Sequence, residues 1–283
     1  MSHSLKPPKP AATILLVKEA ADGTPCFFLV KRHGRSGFMA GAHVFPGGRV
    51  DPDDASFKVA GTSNLTTAWS SGIPEDTPPS AFVVAAIRET AEECGVFLAA
   101  DQSGNTLGPD AATHLFSKLK EKTSFHTLVK QHHLDLRLQD CIPYSWWVTP
   151  EKEPKRYDTR FFIARIPEGQ VASFDAHEVV GGDWFSAKEA LAAYASGSIL
   201  LAPPTFAILE DLSKLASFDS IVAHISFPLE PICPVLTKDD TSDIVLALPG
   251  DRLHPSAGTP QTKARTRLVY TEAGRFASAF APS

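Results

Sequence analysis

The sequence has few cysteines and gives them no regular spacing. Its 283 residues contain four of them, Cys26, Cys94, Cys141 and Cys233, without a Cys-x-x-Cys pair. This usage argues against a disulfide framework and against a zinc site, and it is typical of proteins in a reducing compartment. The apolar share of 43% is ordinary for a globular protein with a sizeable core.

Excess positive charge and long hydrophobic runs are also missing. The formal net charge is −5, whereas proteins that bind nucleic acids or membrane surfaces usually carry a basic footprint. No apolar run approaches the length of a membrane span, and the Lys- and Pro-rich residues 1–10 lack the apolar core of a signal peptide. Residues 280–283 are not a peroxisomal address of the Ser-Lys-Leu kind. We therefore expect a cytoplasmic protein with neither nucleic acid nor membrane as a partner.

The most informative segment is RETAEECG, residues 88–95. Glu89, Glu92 and Glu93 have the i, i+3, i+4 spacing of one helix face. The apolar residues lie roughly opposite and predict a stripe that faces the core. Like charges at this spacing destabilise a helix, and a hard divalent cation such as Mg²⁺ or Mn²⁺ would reverse that effect. Taken alone, such a run is more often a solvated helix face.

A glycine turn upstream favours the metal-binding interpretation over the solvated helix face. Residues 44–51 have the sequence VFPGGRVD, and a pair of glycines allows backbone groups to approach a ligand closely. Turn and acidic helix together resemble the box of the Nudix hydrolases. In that box a Gly is followed after five residues by Glu, and after seven more by Arg-Glu-x-x-Glu-Glu-x-Gly.

This copy of the box departs from the family pattern in two ways. The position expected to hold Glu, counted from Gly48, holds Asp54, and 33 residues rather than seven separate Asp54 from Arg88. The inserted segment, residues 55–79, is rich in Ser, Thr, Gly and Pro, and a long loop of this kind is usually functional or disordered. We expect the helix to restart with Ser80 as its N-cap.

The interrupted box resembles one branch of the superfamily, the motif-19-like acyl-CoA diphosphatases. That branch also carries an insertion between its Phe-Pro-Gly-Gly turn and its Arg-Glu helix. The likeness extends over most of residues 12–235 and includes the segments 32–43, 147–150, 156–162 and 203–205. It implies an α/β fold, the Nudix α/β/α sandwich with a mixed sheet, carrying an inserted loop and a C-terminal extension.

The element pattern agrees with such a fold. Apolar runs at 12–17 and 26–31 predict a hairpin, and further strands are expected at 145–149, at 159–165 and around 184–185. Helices are expected at 81–94, 111–122, 125–132, 186–194 and 205–216, with a capping box of Ser186 and Glu189. We divide the chain into a flexible segment (1–11), a Nudix domain (12–236) and a C-terminal extension (237–283). The extension, which looks polar, is expected to pack on the same domain or to be partly flexible.

The resemblance also implies roles for individual residues. Nudix enzymes hydrolyse a diphosphate linked to another moiety, with a metal ion that polarises the attacking water. Glu89, Glu92, Glu93 and the carbonyl of Gly47 would bind Mg²⁺ or Mn²⁺, and Arg88 would orient the carboxylates. Glu178, in a loop before a later strand, is the candidate base. The alternative is that Glu178 is an ordinary loop residue, in which case Glu89 would serve as the base.

Substrate contacts are expected from the turn and from arginines. Phe45 and Gly48 belong to the turn, and the 3′-phosphate of CoA calls for a cation. The candidate cations are Arg32, Arg35, Arg156 and Arg160, of which Arg32 alone occupies a matching motif position. The branch carries a second arginine where this chain has Gly37.

Three functions remain open from the sequence. The main hypothesis is a pyrophosphohydrolase that converts CoA or acyl-CoA to 3′,5′-ADP and (acyl-)phosphopantetheine. The second keeps the chemistry with another small-molecule diphosphate, such as ADP-ribose or NADH. The third is a non-catalytic nucleotide-binding module of the same fold. The oligomeric state is open as well, a homodimer included.

Overall fold

A computed structural model describes residues 7–34, 39–57, 65, 67–69, 76–174, 179–256, 265–271 and 274–279. In chain order its strands are β1 (Lys9–Glu19), β2 (Pro25–Arg32), β3 (His43–Val44), β4 (Gly47–Arg49), β5 (Ala99–Ala100), β6 (Asp135–Leu136), β7 (Ile142–Val148), β8 (Tyr157–Arg165), β9 (Val179–Ser186), β10 (Val235–Lys238), β11 (Ile244–Ala247), β12 (Arg267–Tyr270) and β13 (Phe276–Ala279). Its helices are α1 (Pro79–Cys94), α2 (Pro109–Lys120), α3 (Phe125–Gln131), α4 (Ala187–Ser196), α5 (Pro203–Leu212) and α6 (Phe218–His224). None of the helices within these ranges is long and apolar enough to cross a membrane.

Strand β1 organises the central mixed sheet. Its residues Ile14, Leu15 and Leu16 are fully buried, as expected for a strand covered on both faces. β1 pairs in parallel with β8 from Lys9 to Val17, and β7 extends that side antiparallel to β8. On its other edge β1 forks, because its first half pairs with β4 and its second half with β2. The fork places the glycine turn against the middle of the sheet.

Two hydrophobic layers cover this sheet. On one side, α1 packs its apolar stripe in a cluster with β1, α2 and α3. On the other side, α4, α5 and α6 form a second cluster with the opposite face of β1, β2 and β8. Since helices lie on both faces of a sheet with parallel and antiparallel pairs, the expected α/β/α sandwich is confirmed.

Two details of helix capping can be compared with the sequence. The expected capping box is present at α4, where the Ser186 hydroxyl accepts from the Glu189 amide at 3.2 Å and the Glu189 carboxylate accepts from the Ser186 amide at 2.8 Å. The expected Ser80 cap of α1 is wrong. That helix begins two residues earlier than expected, at Pro79, with Pro78 in extended backbone as its N-cap, because a proline at the first helical position costs no intrahelical hydrogen bond.

The insertion is attached to the core through a tryptophan. Trp69 is buried and makes edge-to-face contacts with Trp146 and Phe162, with ring centroids 6.2 and 6.0 Å apart. The carbonyl of Ala68 accepts a hydrogen bond from the amide of Leu229 at 2.7 Å. This part of the insertion is therefore docked on the sheet rather than projecting from it.

The C-terminal extension is more apolar in structure than its sequence suggests. Strands β10 to β13 form an antiparallel meander in chain order, and Leu246, Leu248 and Leu268 join the same buried cluster as α5. Arg265 adds ion pairs to Glu210 at 3.0 Å and to Asp211 at 2.7 Å, both on α5. The described part of the extension thus packs against the Nudix core.

Candidate active site

The glycine turn has no room for side chains. A Cβ at Gly47 would overlap the backbone of Ala12 and Thr13, and a Cβ at Gly48 would overlap the carboxylate of Glu89. Both positions are held by the β1–β4 pairing of Thr13 with Gly47 and of Ala12 with Gly48. The two glycines are required here by close approach, since neither has a positive φ.

Arg88 is the centre of the polar network. Its Nε and Nη2 donate to the two oxygens of Asp54, each at 3.0 Å, and its Nη1 donates to Glu89 and Glu92, each at 2.9 Å. Nη2 also donates to the carbonyl of Arg49 at 2.8 Å. A planar guanidinium can satisfy this many acceptors at once. Arg88 therefore joins the loop after the glycine turn to the acidic helix.

Burial and charge act in opposite directions on Arg88. Burial by itself lowers the pKa of the guanidinium, but the hydrogen bonds to Asp54 and the charges of Glu89, Asp54 and Glu92 outweigh it and raise that pKa above its ordinary value. The side chain is consequently a permanent cation. It reduces the repulsion among the neighbouring carboxylates that would otherwise destabilise α1.

The carboxylate of Asp54 is buried and has contacts other than those with Arg88. It is 1% exposed, and its Oδ2 accepts from the amide of Asp51 at 2.8 Å, which caps the short 3₁₀ turn Pro52–Ser56. His126 approaches from α3 with its Nε2 at 3.5 Å from the carboxylate. The Asp51 amide and the Arg88 guanidinium therefore both hold this carboxylate in place.

Glu89 and Glu93 face a cavity of about 670 Å³. The amide of Gly47 donates to Glu93 Oε2 at 3.1 Å, so the turn orients this carboxylate directly. Glu92 does not line the cavity and is held by Arg88 instead. One end of the cavity is thus acidic and is bordered by a backbone that carries no side chains.

The predicted substrate residues fall into several groups. Arg32, Phe45 and Gly48 line the cavity, and the buried Nε of Arg32 has no hydrogen-bond partner among the described residues. Arg156 does not line it, and its Nε donates to the carbonyl of Thr149 at 3.2 Å. Arg35 and the candidate base Glu178 lie outside the described residues.

The structure does not bring Arg160 to the cavity. Its side chain is fully buried, and its guanidinium carbon lies 3.4 Å from the ring centre of Trp146 and 4.8 Å from that of Trp69. Asp158 pairs with it at 3.3 Å. A guanidinium enclosed in this way cannot touch a substrate, so the expected substrate contact is corrected to a cation–π role in the core.

Sequence reasoning missed the other end of the cavity. It is lined by the N-terminus of α5 and by residues of the C-terminal sheet: Pro203, Pro204, Pro234, Leu236, Ile244, Leu246, Tyr270 and Phe276. The continuous apolar run of residues 244–248 is the one available signal. It identifies a strand but not the surface on which that strand packs.

The donor set fits a hard cation in its chemistry. Glu89, Glu92 and Glu93 offer carboxylate oxygens, and the turn beside Glu89 and Glu93 exposes backbone rather than side chains. Such oxygens suit Mg²⁺ or Mn²⁺. As the side chains stand, no group of three His, Cys, Asp or Glu in the described ranges is arranged closely enough to hold an ion.

Comparison with known proteins points to one family. The family model described as the NUDT19 Nudix domain matches residues 61–212. The acyl-coenzyme A diphosphatase NUDT19 of Homo sapiens is 31% identical over 276 residues, covering 80% of this chain and 71% of the human protein. Its namesake from Xenopus laevis is 30% identical over 269 residues, with 80% and 70% covered.

Structural comparison supports the same fold. The crystal structure of a NUDIX hydrolase from Alicyclobacillus acidocaldarius covers 79% of this chain and 99% of its own, at a TM-score of 0.64 and 24% identity. The family match extends over more than half of the chain and includes the whole of α1. The chain belongs to the NUDT19 Nudix-domain family of the Nudix hydrolases.

Proposed function

We propose that this protein is a metal-dependent diphosphatase that cleaves CoA or acyl-CoA to 3′,5′-ADP and (acyl-)phosphopantetheine. The observation that carries the proposal is a single cavity in which Glu89 and Glu93 meet the glycine turn at one end and apolar side chains continue at the other. In a substrate with a diphosphate on a long, largely uncharged arm, the diphosphate matches the glycine turn and the arm matches the apolar side chains. The relatives named above bear the name acyl-coenzyme A diphosphatase.

Glu89, Glu92, Glu93 and the carbonyl of Gly47 are the proposed ligands of Mg²⁺ or Mn²⁺. When bound, the ion would lower the pKa of a water molecule and neutralise phosphate oxygens. The chain's own contribution is to position these oxygens. Arg88 holds Glu89 and Glu92 at 2.9 Å, and the Gly47 amide holds Glu93 at 3.1 Å. Because Arg88 competes for Glu89 and Glu92, ion binding requires these two side chains to reorient.

Glu89 is the candidate base within the described residues. It lines the cavity and has a small exposed fraction, 14% of its side chain, so it can accept a proton from a water in that cavity. Glu178 stays a prediction as the alternative base. The variant Glu178→Gln separates the two: if Glu178 is the base, its loss lowers kcat without weakening metal binding, whereas an unchanged kcat leaves Glu89 as the base.

Arg32 is the proposed cation for the substrate's phosphates. It lines the same cavity, and its buried Nε is left without a hydrogen-bond partner in the part of the chain that the structure describes. A buried donor of this kind gains a charge-assisted hydrogen bond when a phosphate oxygen arrives. Arg35 remains a predicted second cation, whereas Arg156 does not line the cavity and supports the backbone at Thr149.

The test is hydrolysis of CoA, an acyl-CoA, ADP-ribose and NADH, each with Mg²⁺, with Mn²⁺ and with chelator. Release of 3′,5′-ADP from the CoA compounds, dependent on the metal, is the expected result. If ADP-ribose or NADH were turned over as fast as the CoA compounds or faster, the substrate assignment would be wrong, although the diphosphatase chemistry would stand. Unchanged hydrolysis by a Glu92→Gln/Glu93→Gln variant would overturn the catalytic role of the acidic helix. The cytoplasmic location and a homodimer stay predictions.

A further inference from the structure

Several exposed hydrophobic side chains line the cavity. Met39, Leu236, Ile244 and Tyr270 have exposed fractions of 37%, 38%, 44% and 43%, and all four line this cavity. Exposure of large apolar residues is costly and, when clustered, marks a ligand or interaction site. Cleavage of the diphosphate does not itself require this cluster.

Three of the four residues belong to the C-terminal sheet. Ile244 and Leu246 are two apart on β11 and share a face, and Leu236 of β10 is the direct partner of Leu246. Tyr270 pairs with Phe276 across β12 and β13, with ring centroids 5.2 Å apart. These residues form one surface, the apolar wall: Leu236, Ile244, Leu246, Tyr270 and Phe276.

Charge is segregated away from this wall. The charged residues that line the cavity within the described ranges are Arg32, Arg49, Glu89, Glu93 and Glu153, and none of them belongs to β10–β13. A ligand that occupies the whole cavity therefore needs a strongly charged part at the glycine turn and an uncharged, apolar part at the sheet. Burying each methylene on such a wall contributes about fourfold in affinity.

We propose that the apolar wall binds the acyl chain of an acyl-CoA substrate, so that the C-terminal sheet sets a preference for long-chain acyl-CoA over free CoA. This inference rests on the proposed function, since it assigns the diphosphate to the glycine turn. The acyl group is attached at the far end of the pantetheine arm, remote from the diphosphate. That chemistry matches a wall that lines the same cavity as the glycine turn but belongs to a different sheet.

Two other occupants give different results. If the aromatic pair Tyr270 and Phe276 stacked on adenine, free CoA and acyl-CoA would depend on the wall equally. If the wall were an interface between two copies of the chain, its substitution would change the oligomeric state and leave the preference between substrates in place. Either outcome would overturn the proposal.

The experiment uses the full chain with CoA and its acetyl, hexanoyl, octanoyl and lauroyl thioesters. For the wild type, kcat/KM should rise with chain length, by up to about fourfold for each methylene that reaches the wall. In the variant Leu236→Gln/Ile244→Gln, the ratio of kcat/KM for lauroyl-CoA to that for CoA should fall by about tenfold or more. Leu200→Gln is the matched control, since Leu200 is 49% exposed and does not line the cavity.

A binding measurement keeps the test independent of catalysis. With chelator present, isothermal titration should show tighter binding of lauroyl-CoA than of CoA to the wild type and no such difference for the double variant. A flat chain-length series on an active CoA hydrolase would contradict the wall assignment alone. Hydrolysis of ADP-ribose with no turnover of any CoA compound would instead contradict the proposed function. If the double variant does not fold, the single variants Leu236→Gln and Ile244→Gln, each at a partly exposed side chain, carry the same comparison.

Discussion

Arg88 and Asp54 form a buried ion pair in which both guanidinium–carboxylate contacts measure 3.0 Å. The two residues lie 34 positions apart in the sequence, on either side of the insertion. Buried bidentate pairs are specific in geometry and lose much when one partner is removed. This contact therefore reassembles the interrupted box, and it explains how an aspartate can occupy the position of the longer glutamate.

Replacement of Asp54 by Asn should destabilise the protein by about 3 kcal/mol, near the lower end of the range for breaking a buried pair. The lower end applies because Arg88 keeps its contacts with Glu89 and Glu92. Urea unfolding of the variant measures the loss. Asp53→Asn, an exposed neighbour in the same 3₁₀ turn, is the control and should change little. Equal stabilities of the two variants would contradict the assigned pair.

Replacement of Arg88 by Lys keeps the positive charge and removes the planar guanidinium with its several donors. An ammonium cannot serve Asp54, Glu89 and Glu92 at once, so the carboxylates should shift and kcat/KM should fall by about 10²-fold, the usual cost of a displacement near 1 Å. Steady-state kinetics on the best substrate measures the effect. Arg165→Lys, a surface arginine paired with Glu19 and Asp219, should retain wild-type kinetics.

Gly48→Ala tests the close approach of the turn. The added Cβ would overlap the Glu89 carboxylate, which can move aside because it ends a flexible side chain. We expect stability to change by less than about 1 kcal/mol, with kcat/KM lowered by about 10²-fold through the displaced carboxylate. Gly108→Ala is the control, because its Cβ would meet no atom within 4 Å. Full activity of Gly48→Ala would contradict the claim that a Cβ at this position displaces the Glu89 carboxylate.

The sequence predicts the parts of this site that depend on local patterns. The carboxylate face of α1 follows from helical spacing, and the close turn follows from the pair Gly47 and Gly48. Both can be read without knowing what lies nearby. The α/β/α architecture was expected from the family resemblance and from alternating elements, and it is confirmed by the fold.

Relationships across long stretches of sequence were not predictable in the same way. Arg160 has the residue type of a phosphate ligand, yet Trp146 and Trp69 enclose it in the core. No local pattern reports that a tryptophan 91 positions earlier in the chain will cover it. The same limit applies to Ile244 and Tyr270, which belong to short apolar runs typical of strands, while their position on the cavity depends on packing.

Trp69→Ala should detach the insertion from the core. Its ring packs against Trp146 and Phe162, and truncation of a buried aromatic residue typically costs about 3–5 kcal/mol. Chemical denaturation measures the loss, and limited proteolysis should cut the variant within residues 55–79 sooner than the wild type. Phe227→Ala, at an exposed aromatic residue, should affect neither. Identical cleavage of wild type and Trp69→Ala would show that the insertion does not depend on this anchor.

The stability that the C-terminal sheet contributes to the protein should depend on pH. Burial alone would raise the pKa of Asp251, but the hydrogen bonds from Arg267, both at 2.8 Å, lower it below the ordinary value of 3.8. A lowered pKa in the folded state means that the pair stabilises the protein fully above about pH 4 and loses that contribution as the pH falls through the folded-state pKa.

Asp251→Asn isolates that contribution, because it removes the charge and nearly preserves the shape. At pH 7 the variant should be less stable by about 3 kcal/mol, since Arg267 is left buried without its main partner. The difference from wild type in urea midpoint should stay constant down to about pH 5 and shrink on further acidification. Asp240→Asn, which breaks the exposed pair with Arg252, should cost at most about 1 kcal/mol. A gap between wild type and Asp251→Asn that persists well below the folded-state pKa would mean that shape, rather than charge, holds the sheet that carries the apolar wall.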